Sequence, residues 1–203
     1  MGGFGRSDYF AYRSRFNEVA GIAPRVLLEA GTSSGTYPTE TRPILSYVSA
    51  YLRDTGTTLK ADDEVPFDMS LLHFRRTFVE KMFAIHAKVE MFKQTGQPIG
   101  SYARHYYDLW CLAQQPDVSR MLQTDEYADI KVDYERVSLQ AYSRGYFRPD
   151  DMSFANSDAL FPSVTLGKDL SAAYVQQCEL LCYGEFPSWL ELLSTFENLR
   201  MLL

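Results

Sequence analysis

This chain of 203 residues has few cysteines, few histidines, no long apolar run and no excess of positive charge. Its three cysteines, Cys111, Cys178 and Cys182, form no secreted-type disulfide framework. Two of them stand four apart on an expected helix, where side chains are neighbours, and buried reduced thiols are the expectation. Neither they nor the three histidines show a CxxC or HExxH spacing, so zinc is not expected. No segment approaches the roughly 18 uninterrupted apolar residues of a membrane span. The opening, MGGFGRSDYF, lacks the apolar core of a signal peptide, which makes the cytoplasm the expected compartment. The formal net charge of −6 excludes bulk attraction to nucleic acid, whose binding is driven by neutralised phosphates. Any RNA contact must be a local patch.

What is present suits a folded product: 46% hydrophobic, 23% charged and 14% aromatic residues are ordinary values for globular domains. The length suits one large domain or two small ones, and a smaller lobe followed by a larger one is the organisation expected. Residues 1–24 have no clear period and read as an arm. Residues 25–30, partly β-branched and bounded by Pro24 and Gly31, read as a strand carrying Glu29. A helix over 43–53, opened by Pro43, is expected from the stripe Ile44, Leu45, Val48, Tyr51 and Leu52. Residues 55–64 read as a polar loop and 65–72 as a short extended piece.

From there the pattern is helical. Phe78, Met82, Ile85, Val89 and Phe92 recur at three- and four-residue steps and predict a helix over 75–93. Further helices are expected over 102–115, 117–122, 126–144, 168–183 and 187–202, with Gly184 and Pro187 separating the last two. Residues 145–167, rich in Pro, Ser, Asp and Phe, read as a long functional or mobile connection.

The chemistry concentrates in residues 76–86 (RTFVEKMFAIH) and 104–109 (RHYYDL), which set a lysine and an aspartate on two successive expected helices. A lysine and an aspartate so placed can build a phosphate-binding site. The same residues also read as an exposed lysine beside an Arg104–Asp108 pair at i, i+4.

The two segments, in this order and spacing, resemble the AbiEii/AbiGii nucleotidyltransferase toxin family, bacterial proteins of the polymerase-beta-like superfamily. Residues 25–44 (RVLLEAGTSSGTYPTETRPI) resemble that family's acidic strand and following turn, and residues 183–193 (YGEFPSWLELL) its last helical hairpin. The Gly-Ser turn and Asp-x-Asp strand that usually hold the catalytic metal are not found in this sequence. The chain therefore reads as the C-terminal part of such an enzyme: α+β and mostly helical, with a partial nucleotidyltransferase lobe over 1–72 and a helical domain over 73–203 carrying the EK and RHYYDL motifs.

The resemblance implies catalytic roles for Lys81, Asp108 and Glu29. Lys81 would bind nucleotide phosphates, Asp108 would position Lys81 or the acceptor hydroxyl, and Glu29 would be the third carboxylate of the metal site. Glu29 alone is incomplete as a magnesium ligand, because this ion needs several oxygens near octahedral positions. Arg104 and His105 are further candidates for nucleotide or RNA phosphate, His105 standing where many relatives carry an aspartate. Arg144 and Arg148, in the basic-aromatic segment YSRGYFR (142–148), complete the phosphate candidates. With Tyr106, Tyr107, Tyr142, Tyr146 and Phe147 they interleave cations and stacking rings. His86 reads as structural, and the acids Asp62, Asp63, Glu64 and Asp68, like Asp150 and Asp151, as solvated loops.

As a family member the chain would belong to a toxin–antitoxin or phage abortive-infection system. It would use a nucleoside triphosphate and magnesium, act on an acceptor such as tRNA, and have a cognate antitoxin as partner. Alone, without the Asp-x-Asp, it is expected to transfer little. The alternatives are a non-catalytic helical module that binds RNA, a nucleotide or a protein, or a remnant that dimerises through its N-terminal arm.

Overall fold

The computed structural model of the chain describes residues 5–13, 15, 23–31, 35–58 and 64–203. It is α+β and mostly helical. Asp62, Asp63 and residues 32–34 of the GTSSG turn lie outside the described residues.

The N-terminal part is built from two separate antiparallel ribbons. In the first, β1 (Gly5–Ala11) pairs with β2 (Arg25–Gly31) in a register that sets Ser7 opposite Glu29. The arm read as aperiodic thus contributes a strand, which its polar-aromatic mixture conceals. In the second ribbon β3 (Thr39–Ile44) pairs with β4 (Phe67–Leu72), and the chain between them forms helix α1 (Tyr47–Asp54). Pro43 lies inside β3 opposite Asp68 rather than opening a helix. Both strands of a two-stranded ribbon are edges, where a residue without an N–H is tolerated. The start of α1 is set instead by Ser46, whose Oγ accepts from the Ser49 N–H at 3.0 Å.

The core belongs to the helices. Every buried hydrophobic residue among the described ones lies between Phe78 and Leu203. At its centre runs α2 (Phe74–Thr95), which buries Phe78, Val79, Met82, Phe83, Ile85 and Val89. His73 caps its first turn, its Nδ1 accepting from the Arg75 N–H, and Gly96 ends it at φ +72°, the left-handed conformation that glycine adopts without a Cβ penalty. A 3₁₀ turn (Gly100–Arg104) leads into α3 (His105–Ala113), where one regular helix was expected. Then follow α4 (Pro116–Met121) and α5 (Asp125–Ala141). Helix α6 (Val164–Leu181) begins four residues before the expected 168, capped by Ser163. Helix α7 (Trp189–Leu199) opens on a capping box of Ser188 and Glu191.

The connection between α5 and α6 is not a loose loop. Phe154, Ala159 and Leu160 on it are buried, the Phe154 N–H donates to the Leu203 carbonyl at 2.9 Å, and Lys131 Nζ donates to the Met152 carbonyl at 2.6 Å. Tyr106, expected to offer a stacking face, is fully buried and donates its hydroxyl to the Ala159 carbonyl at 2.7 Å. Short apolar anchors at irregular spacing carry this packing, so no period reveals it.

A buried charge joins the N-terminal part to the core. Arg76 in the first turns of α2 is fully buried. Its Nε donates to Glu80 Oε1 at 2.7 Å and its Nη1 to the Tyr37 carbonyl at 2.8 Å. Nη2 stands 2.8 Å from Asp133 Oδ2 on α5, an ion pair without hydrogen-bond alignment, and Asp133 Oδ1 also accepts from Arg136 at 2.6 Å. Any Cβ on Gly35 would overlap the Arg76 guanidinium, so glycine is required for this close approach.

Removing one partner of a buried ion pair leaves the other charge unpaired, so Asp133→Ala should cost about 3 kcal/mol in urea unfolding. Gly35→Ala should destabilise through the same cluster. Burial works to raise the Asp133 carboxyl, but Arg136 and Arg76 together hold it below its ordinary range; its contribution is full above that range and lost as pH falls through the depressed value. His86 adds a second acid sensitivity. Burial pushes its imidazole down while its Nδ1 meets Ser157 Oγ at 2.8 Å. The unfolded chain therefore takes up this proton first as pH falls below about 6.5, and stability drops there. In His86→Gln the loss of Tm between about pH 7.5 and about pH 5.5 should shrink, as thermal melts at the two values would show.

Candidate functional site

Three side chains from the two motif segments converge. Lys81 projects from α2, while His105 and Asp108 stand one turn apart at the start of α3. Lys81 Nζ donates to Asp108 Oδ2 at 2.7 Å. His105 Nδ1 lies 3.2 Å from both Lys81 Nζ and Asp108 Oδ2. The 3₁₀ turn before α3 puts His105 at that helix's first position, and Asp108 in the first turn is favoured by the helix dipole. All three side chains are partly exposed, at 23% for Lys81, 38% for Asp108 and 14% for His105, so a ligand can reach them.

Burial tends to raise the Asp108 carboxyl, yet the hydrogen bonds from His105 and Lys81 prevail and hold it below its usual range. At neutral pH it is a carboxylate. The imidazole Nδ1 has one position for a proton or a lone pair, so it either accepts from the Lys81 ammonium or donates to Asp108. The two contacts are alternatives, and the cluster can change hydrogen-bonding state without moving its backbone.

A cleft of about 310 Å³ opens beside Lys81, walled by Gly35, Thr77, Glu80 and Ala84 on one side and by Tyr134, Val137, Ser138 and Tyr142 on the other. It adjoins a second cleft of about 430 Å³ lined by Phe83, Ala87, Lys88, Tyr102, Gly145 and Tyr146, with Ala84, Tyr134, Ser138 and Tyr142 bordering both. The Tyr102 ring meets the His105 ring edge-on at 5.7 Å and lies under Lys88 Nζ at 4.4 Å. A larger groove of about 690 Å³ between α6 and α7, lined by Val164, Trp189 and Leu190 among others, brings none of these groups together.

The other candidates fall outside the cluster. Arg104 is exposed beside His105 and has no ionic partner among the described residues, so it is available to an anion. Asp108 is engaged by Lys81, not by Arg104. In the 142–148 segment Tyr142 and Tyr146 line the clefts, while Phe147 borders a polar cavity with Arg148. Arg144 is exposed on the turn after α5. Arg148 pairs with Glu135 at 3.2 Å and borders the same polar cavity with His86 and Lys93. Glu29 is exposed on β2, its side chain without a hydrogen bond or ion pair among the described residues. Sequence reasoning missed Tyr102, Tyr134 and Lys88. A signal existed, since Ala84 and Lys88 follow Lys81 at three- and seven-residue steps along one face of α2.

The donor set was tested against a resident magnesium ion. Among the described residues no group of three or more His, Cys, Asp or Glu side chains could hold a metal ion. Glu29 is a single exposed carboxylate and Asp108 is occupied by Lys81 and His105, so these residues do not fit such an ion. The three cysteines are free thiols, of which Cys178 is buried. Among the described residues no helix is long and apolar enough to cross a membrane.

Comparison with known proteins gives one result at the level of families. The sequence model of the nucleotidyl transferase AbiEii toxin of type IV toxin–antitoxin systems matches residues 3–172. No curated protein and no solved structure gives a significant match. The match spans both ribbons, the Lys81 helix, the RHYYDL helix and the first half of α6, well over half of the chain. The chain belongs to the AbiEii nucleotidyl transferase toxin family.

Proposed function

We propose that Lys81 receives the phosphates of a nucleoside triphosphate and that the chain serves nucleotidyl transfer to an acceptor such as tRNA, under control of a cognate antitoxin. The observation that carries this reading is the convergence of Asp108 and His105 on Lys81, which itself lines a cleft. An incoming phosphate draws the Lys81 ammonium from Asp108, a half-exposed pair whose loss costs little. His105 Nδ1–H then takes the place of lysine on the carboxylate. Arg104 adds a second cation at the rim, and Arg144 and Arg148 meet a longer acceptor. Asp108, held as an anion, orients the acceptor hydroxyl. Magnesium is expected to arrive with the triphosphate. Transfer by this chain alone is expected to be slight, because the described carboxylates, Glu29 included, do not assemble into a metal site.

A second reading, self-association, is favoured by the exposure of Phe10, Val26, Leu28 and Phe67 on the ribbons. A single monomer peak at high concentration in size-exclusion chromatography with light scattering would end it.

Calorimetric titration of nucleoside triphosphate should show saturable binding that weakens about ten-fold in Lys81→Ala, the scale of a lost charge-assisted hydrogen bond. Absence of binding at millimolar nucleotide would overturn the reading. Asp108→Asn should bind nucleotide a few-fold more tightly, since the carboxylate no longer competes for Lys81. In any assay that supports transfer, the same variant should lose turnover.

A further inference from the structure

We propose that the aromatic cleft between α2 and α5 is a nucleobase subsite, which takes the base of the nucleotide whose phosphates lie at Lys81. The inference rests on the phosphate reading of Lys81 and adds where the rest of the ligand goes. The two clefts share a wall of Ala84, Tyr134, Ser138 and Tyr142, so a ligand passes from one to the other without crossing a barrier. Lys81 and Lys88 border the two clefts on one helix, seven residues and about 10 Å apart along its axis, comparable to the reach from phosphate to base in an extended nucleotide.

The chemistry changes in the right sense along that path. At the Lys81 end stand a cation, a carboxylate and an imidazole. At the Lys88 end stand phenol rings, and Tyr102 links the two through its edge contact with His105. Between them α2 presents alanines at 84 and 87, leaving the cleft open above the helix. Phenol faces suit any base by stacking, while Lys88 offers donors to carbonyl or ring-nitrogen acceptors on the base edge.

The test titrates nucleoside triphosphates and inorganic tripolyphosphate separately into the full chain and into Ala87→Leu, Tyr102→Ala and Lys81→Ala. Ala87→Leu fills the cleft without touching His105, and circular dichroism melts check that each variant is folded. The native chain should bind the nucleotide about ten-fold more tightly than tripolyphosphate. Both cleft variants should bring the nucleotide down to the tripolyphosphate level and leave tripolyphosphate unchanged, whereas Lys81→Ala weakens both ligands. Equal native affinities for the two ligands, or cleft variants that leave nucleotide affinity intact, would overturn the base subsite while the phosphate reading stands. If Lys81→Ala changes neither ligand, the phosphate reading fails. A nucleotide loss confined to the cleft variants would then place a base in the cleft but overturn its link to phosphates at Lys81. No binding of either ligand to the native chain overturns both. A short single-stranded RNA lacking a triphosphate separates the remaining source: if its affinity alone falls in the cleft variants, the cleft holds an acceptor base and the proposal for the nucleotide is wrong.

Discussion

The buried guanidinium of Arg76 is the constraint on which the arrangement of this chain turns. A charge without solvent must be neutralised and hydrogen-bonded, because the protein interior returns little of its hydration energy. Here the partners come from three places: Glu80 one turn along α2, Asp133 on α5, and the Tyr37 carbonyl of the segment before β3. Satisfying one arginine therefore fixes the separation of α2 and α5 and draws the N-terminal chain against both. The opening between those two helices, with Gly35 at its edge, is the cleft beside Lys81.

Two carboxylates show how burial divides a fixed ion pair from one that can exchange partners. Asp133 is 6% exposed and held between two arginines, and exchanging a partner there would strand a charge in a medium that screens poorly. Asp108, at 38% exposed, also has two partners, but water stands ready to replace either. Its pair with Lys81 is correspondingly weak, which suits the proposed turn of Lys81 to an incoming anion. Both carboxyls are depressed, and in both cases opposing bonds outweigh desolvation. The direction of a pKa shift alone would not tell them apart; exposure does.

The sequence revealed helix faces well and the partners across those faces poorly. The stripe from Phe78 to Val89 located α2, and the motif spacing located Lys81 and Asp108 on neighbouring helices, because a period of 3.6 is written locally. Pro43 was misleading because helix-opening and edge-strand prolines share a local signature, and only the pairing with Asp68 decides. Arg76 stood in the leading motif without a role, since two of its three partners, Tyr37 and Asp133, lie far along the chain, the first 39 positions away. Tyr106 and Tyr107 looked like stacking rings beside Asp108. Yet the ring that borders His105 is Tyr102, placed there by a 3₁₀ turn that periodicity does not reveal.

The ribbons complete the argument about what the cleft depends on. A two-stranded ribbon with both faces exposed has little stability of its own, and β1 and β2 are exposed along nearly their whole length. The second ribbon has firmer ties: the His73 N–H donates to the Pro38 carbonyl at 2.8 Å, and Arg76 donates to Tyr37 immediately before it. Residues 35–38 thus belong energetically to the helical core while leading into the sheet. A perturbation of the second ribbon would reach the Lys81 cleft through Gly35 and Arg76, not through α3. Order in the second ribbon and access to the Lys81 cleft are coupled by the same buried charge, and a partner that grips that ribbon has a physical route to the cleft without covering it.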